Sequence, residues 1–421
     1  MRILITNWTL GGRTGTETYV RDLALGLMAR GHAPVVYSPV LGPIAQELRD
    51  ATIPVVDNLA RVVEAPDVIH AQHRHETMEA LLHFPGVPAA YFCHDWHAWQ
   101  DLPPVFPRIR RYVAVDETRR DRLVLEAGVP PERIQILPNG VDTARFQPRR
   151  PLPEKPERAL VFSSYVRSEH QVRGVREACR RAGISLEVVG SGVGRSEARP
   201  EDLLNRFDLV FAMGRSALEA MAVGTGVVVW GLEGLGGFVR RENFPRLLSL
   251  NFGRRALHLG GLCDLDGEIA RYDRREAEAV QGEVRQRLNL DAFIGAHLRI
   301  YGEVLREEAA RGDVPELELQ AAADYLLTCE PRAAQETARR KRGLKQARLL
   351  RKGVDGGWLL ASVCSLAAGG KLVHLAWIAG DRELSLGALL GTAVLLASAF
   401  LFREALRARF KPPAGYSRFS S

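Results

Sequence analysis

The side chains that could do chemistry in this chain stand at the ends of apolar runs. In DLVFAMGRSALEAMAVGTGVVVW, residues 208–230, Ser216 and Glu219 are three apart just after Gly214. That spacing fits a capping box, with the carboxylate accepting from the backbone N–H of Ser216. It also fits a carboxylate at the end of a parallel strand that accepts both hydroxyls of a ribose, and the residues alone leave both readings open. His94 closes the apolar run Ala89–Cys93, on the edge where open α/β sheets hold ligands. Trp96 and Trp99 follow it, spaced either to stack on a sugar or lipid headgroup or to pack inward from a helical turn. Gly11 and Gly12 open a Gly-rich loop, Gly11–Gly15, ahead of a helix, where backbone N–H groups can turn or meet an anion. His70, His73 and His75 in AQHRHE lack an i, i+4 pair and read as loop residues, not metal ligands.

Positioning these groups takes alternating strands and helices. Ile3–Ile5 is a first strand, and Val20, Leu23, Ala24, Leu27 and Met28 form a helical stripe stopped by Gly31. Strands are expected at Val35–Tyr37, Pro54–Val56, Asp67–His70, Ala89–Cys93 and Tyr112–Val115. Asn139-Gly140 behind Pro138 is a turn, and the Pro-rich stretch Arg149–Pro156 suits a linker. A second βα series opens at Ala159–Phe162 and includes Leu209–Met213, a short helix stopped by Gly224, and Val227–Trp230. Residues 240–254 read as irregular and 274–308 as helical. The 421 residues hold two domains of about 150 residues and an appendage. Cys93, Cys179, Cys263, Cys329 and Cys364 are scattered with no Cys-x-x-Cys, so a disulfide framework and a zinc site are not indicated and a reducing cytosol fits. No signal peptide is expected ahead of the first strand.

Four segments carry a resemblance. GRSALEAMAVGTGVVV resembles the donor-site segment of retaining GT-B glycosyltransferases of the family-four type, whose usual form is Glu-x7-Glu followed by Ala-Met-Ala-x-Gly. LPNGVDTARFQP, residues 137–148, resembles that family's link between two Rossmann-like domains. MRILITNWTLGGRTGTETYVRDLALGLMARGH resembles its first strand, glycine loop and helix, and NLDAFIGAHLRIYGEVL its last helix, which crosses back to the first domain. Together the matches span residues 1 to about 305. The resemblance implies that Glu219 contacts the nucleotide ribose, that His94 lies near the donor sugar and that the Gly11–Gly12 loop faces the donor's phosphates and sugar. Arg167 and Arg173 are the nearest match to the family's Arg and Lys on the diphosphate, or else belong to an exposed basic face with Arg176, Arg180 and Arg181. The first Glu of the pair would fall at 211, where this chain has Phe211. Neither a metal nor a cofactor is expected.

The charge sits at one end. Residues 337–421 hold fifteen Lys or Arg against four Asp or Glu, which leaves residues 1–336 four negative within an overall +7. Residues 337–352 carry eight basic side chains and no acid; residues 356–380 are apolar apart from Lys371 and His374, and 384–402 hold no charge. Basic clusters beside two apolar spans point to a membrane and not to nucleic acid, with both ends in the cytosol. The expected architecture is therefore α/β, with two Rossmann-like domains facing a cleft, residues 1–148 on the acceptor side and 149–305 on the donor side. A helical basic linker follows at 306–352 and an α-helical transmembrane hairpin and tail at 353–421. The expected activity is transfer of a sugar from a nucleotide-sugar donor to a saccharide or lipid-linked acceptor of the cell envelope, with retention, at the cytosolic face of an inner or plasma membrane. The alternatives are an inactive binding or scaffolding module of the same build and a sugar-nucleotide epimerase.

Overall fold

The computed structural model describes residues 1–148, 150–195, 197, 199–259, 264–310 and 315–328. Met1–Tyr325 form one compact unit that contains two sheets. The second unit, Leu326–Ser421, lies almost wholly outside the described residues, and with it the expected hairpin at 353–421 and most of the basic linker. Among the described residues no helix is long and apolar enough to cross a membrane.

The first sheet comprises β1 (Arg2–Thr6), β2 (Ala33–Tyr37), β3 (Val55–Val56), β4 (Val68–Ala71), β5 (Ala89–Cys93), β6 (Ile109–Ala114) and β7 (Ile134–Ile136). Their order is β3-β2-β1-β4-β5-β6-β7, and every pairing is parallel. Because helices cover both faces, the central strands read as unbroken apolar runs, and β5 is buried at all five positions. The order reverses direction between β1 and β4, which puts the loop after β1 and the turn after β5 on the ligand-holding edge. Helix α1 (Gly15–Ala29) packs the stripe Val20, Leu23, Ala24 and Leu27 into this core.

The second sheet comprises β8 (Arg158–Phe162), β9 (Ser185–Val189), β10 (Leu209–Ala212), β11 (Gly226–Gly231), β12 (Gly234–Phe238) and β13 (His258–Leu259), in the order β13-β12-β11-β10-β8-β9. The pairings from β11 through β9 are parallel, and those of β12 are antiparallel. The stretch 240–254, expected to be irregular, contains a short helix at Phe244–Ser249. The 274–308 region is two helices, Arg274–Arg287 and Leu290–Ala309, parted where Asn289 accepts from the N–H of Ala292 at 2.8 Å. The second of these returns to the first sheet, where Phe293, Ile294, Ile300, Tyr301 and Val304 join the core of α1. Gly26 on α1 and Gly140 make that docking possible, since an added Cβ would lie 2.6 Å from Ile294 and 2.5 Å from Phe293.

Candidate active site

Further helices, beside α1, are α2 (Pro43–Asp50), α3 (Arg74–His83), α4 (Glu117–Leu125), α5 (Arg173–Arg181), α6 (Pro200–Leu204) and α7 (Arg215–Val223). The capping box expected at Ser216 and Glu219 does not form. Gly214, at φ +61°, is the residue before the helix, so Ser216 is already its second residue and not the cap that Glu219 would reach back to. Glu219 instead accepts from Nε of Arg215 at 3.0 Å, one turn back on the same helix. Burial raises the Glu219 carboxyl above its ordinary value, against the pull of Arg215.

Arg215 was not singled out in the sequence, yet it joins the two sheets. Its Nη2 donates to Oδ2 of Asp22 on α1. Asp22 also holds Arg21 through Oδ1, at 3.0 Å from Nε and 2.7 Å from Nη2. Burial alone would raise the Asp22 carboxyl, but Arg215 and Arg21 outweigh it and hold it low. Other contacts between the halves are the Arg254 guanidinium, 4.9 Å from the Trp96 ring centroid, the pair Arg255–Asp121 at 2.6 Å, and Asn139 donating to Asn251 at 3.2 Å.

On the first sheet His94 stands at the end of β5 with its ring edge-on to Tyr19, centroids 4.4 Å apart. The turn that carries it is fixed from both sides. Asp101 accepts the N–H groups of His94 and Asp95, while Arg119 donates to the carbonyl of His94 and Arg122 to those of Asp95 and Ala98. Burial lowers the His94 pKa to about 3, helped by the charges of His73, Arg119, His297 and Arg215, so the ring is neutral near pH 7. Among the described residues its Nε2 has no hydrogen-bond partner and is enclosed. A neutral, positioned imidazole nitrogen can accept from or polarise a hydroxyl, but it offers no cationic charge.

Of the three histidines expected in a loop, only His73 is there, in the bend before α3. His70 lies within β4, where its Nδ1 bonds Tyr301 at 2.7 Å; His73 precedes α3 and His75 lies in its first turn. His70 thus belongs to the strand expected at Asp67–His70, which is held by parallel pairing on both sides. Trp99 packs its edge on His75 at 5.1 Å, so the two tryptophans take different surroundings.

The glycine loop has an anion of its own. Glu17, on the first turn of α1 and 1 % exposed, accepts the N–H groups of Gly12 at 2.8 Å and Thr14 at 2.6 Å, while Gly11 donates to Thr9 Oγ1 at 2.9 Å. The spacing Thr14-x-x-Glu17 was the signal for this. Arg167 is exposed, with its backbone N–H donating to Gln171, and Arg173 pairs with Glu177 on the outer face of α5 at 2.8 Å. Neither shares an ion pair or hydrogen bond with Glu219 or Gly12 among the described residues. Phe211 is fully buried in β10, in the cluster with Val161, Val228 and Trp230. Among the described residues there is no group of three or more His, Cys, Asp or Glu that could hold a metal ion.

Comparison with known proteins places this arrangement. Residues 13–145 match the model of Glycosyltransferase Family 4. A subunit of the phosphatidylinositol N-acetylglucosaminyltransferase of Arabidopsis thaliana is 26% identical over 175 residues, which are 38% of this chain and 39% of that protein. The chain thus spans about two fifths of the length of this curated relative. Among solved structures, HepE of Anabaena in complex with UDP aligns with a TM-score of 0.51 at 16% identity, over 72% of this chain and 100% of that one. Its complex with UDP-glucose aligns with a TM-score of 0.50 at 17% identity, over 73% and 100%. These structures share the two-sheet α/β fold. Residues 13–145 are thus similar to a glycosyltransferase family 4 domain, and the chain as a whole shares its fold with the HepE structures.

Proposed function

We propose that the protein moves a sugar from a nucleotide-sugar donor to a saccharide or lipid-linked acceptor, with retention at the anomeric carbon. The observation that carries this reading is Glu219, a buried carboxylate at the strand-end helix of the second sheet, with Arg215 fixing its Oε1. A carboxylate so placed accepts the two hydroxyls of a ribose through its remaining lone pairs. The UDP and UDP-glucose complexes of HepE, which shares this fold, support a nucleotide-sugar donor. By the resemblance His94, with its neutral ring, stands on the donor-sugar side, and Ser216 adds a hydroxyl near Glu219. Arg167 and Arg173 remain the cations assigned to the diphosphate, with Gly11 and Gly12 facing it across the cleft. Acceptor binding belongs to the first domain, and the apolar spans in 353–421 hold the enzyme at a membrane with its domains in the cytosol.

Phe211 favours a second reading, because the carboxylate that would meet the donor sugar is replaced by a core side chain. On that reading the protein binds a nucleotide without turning it over. A thermal-shift screen of the full chain across nucleoside diphosphates tests the common ground: one of them raises the melting temperature, by mass action on the folded state. If none does, both readings fail. Release of free nucleoside diphosphate from the matching sugar nucleotide then separates the transferase from the binding module.

A further inference from the structure

Arg215 is the fifth of six members of a chain of alternating charges that runs from the first sheet's helices to the second sheet. It begins at Arg13 in the glycine loop, which pairs with Glu47 on α2. Glu47 meets Arg21 at 3.5 Å, Arg21 holds Asp22, Asp22 holds Arg215, and Arg215 holds Glu219. Three guanidiniums and three carboxylates balance, so the chain carries no net charge into the site. Asp22, Arg215 and Glu219 keep side-chain exposures of only 9, 14 and 12%. At that depth a guanidinium with donors in two directions is hard to replace, because an ammonium is a single point of charge. Removing either carboxylate leaves a buried cation with half its partners.

We propose that Arg215 is a positioning residue that ties the setting of Glu219 to Asp22, so that ligand affinity on the second sheet depends on a carboxylate of the first. The idea rests on the assignment of the donor to Glu219. It adds that the donor site is completed from across the cleft. A ligand that engages Glu219 then also registers whether α1 is in place, and donor binding and apposition of the two sheets become one event.

The test uses the full chain and the nucleoside diphosphate selected by the thermal-shift screen, with wild type, Asp22→Asn, Arg215→Gln, the double variant and Asp22→Glu. Each single neutralisation weakens binding by at least about threefold, the double variant is no weaker than Arg215→Gln alone, and Asp22→Glu recovers part of the loss. Losses that multiply in the double variant, or wild-type affinity in Asp22→Asn, overturn the coupling. Small-angle scattering of the ligand-free proteins gives an independent readout. A larger radius of gyration in both Asp22→Asn and Arg215→Gln supports the tie, and unchanged radii in both overturn it. If wild type binds no nucleoside diphosphate, the donor assignment fails and scattering alone decides whether Arg215 joins the sheets.

Discussion

Glu17 shows what a single carboxylate does here. Replacing it by alanine leaves the N–H groups of Gly12 and Thr14 without their acceptor, and the expected cost is about 2 kcal/mol of stability, read from the denaturant midpoint at constant m-value. A loss below a few tenths of a kcal/mol would show that solvent serves those groups as well. The same Thr/Ser-x-x-Glu spacing occurs at Thr14–Glu17 and at Ser216–Glu219, yet only the first helix begins where the spacing says. The second begins two residues early, because Gly214 adopts a positive φ and donates its N–H to the carbonyl of Phe252 at 2.9 Å. Arg215 was visible in the sequence as the i, i+4 mate of Glu219. Asp22, 193 positions away, was not, because an ion pair between two sheets leaves no local pattern.

At the scale of elements, what was legible follows from burial. Strands buried on both faces are continuous apolar runs, which is why β1, β5, β10 and β11 could be placed from their residues. β12 escaped because GLGGF has no such run. Its glycines serve packing: a Cβ on Gly236 would lie 2.9 Å from Val229 of the neighbouring strand, and Gly237 sits at φ +91°. The short helix at Phe244–Ser249 escaped for its length, since six residues show less than two turns of any stripe. The return of the Leu290–Ala309 helix to the first sheet was expected from resemblance alone. Its sequence shows an amphipathic helix, and only the three-dimensional match of Phe293 and Ile294 to Gly140 and Gly26 says which surface it covers.

The whole molecule carries an acid sensitivity set by its buried histidines. Burial lowers His94 to about 3 and His73 and His297 to about 4, and drives His70 well below its ordinary value. The unfolded chain protonates these rings near pH 6.5, so below that pH it takes up protons the folded state refuses, and stability falls by up to about 1.4 kcal/mol per pH unit per histidine. Burial raises Glu76 and Asp101 to about 7, which acts with the opposite sign between about pH 4 and 7, because the folded state then holds the extra protons. Glu219 and Asp116, also raised by burial, act with Glu76 and Asp101, but the four histidines lose stability over the whole interval, and the melting temperature is expected to drop from pH 6.5 to 5; a level or rising one would contradict this balance. The central claim is that Glu219 holds the ribose of a nucleotide donor. Calorimetric titration of wild type and Glu219→Gln with the selected nucleoside diphosphate tests it most directly. The account predicts about a tenfold loss of affinity in the variant, near 1.4 kcal/mol, in addition to the lower melting temperature expected when buried Arg215 loses a partner. Unchanged affinity with a lowered melting temperature would make Glu219 a structural partner of Arg215 and contradict the account.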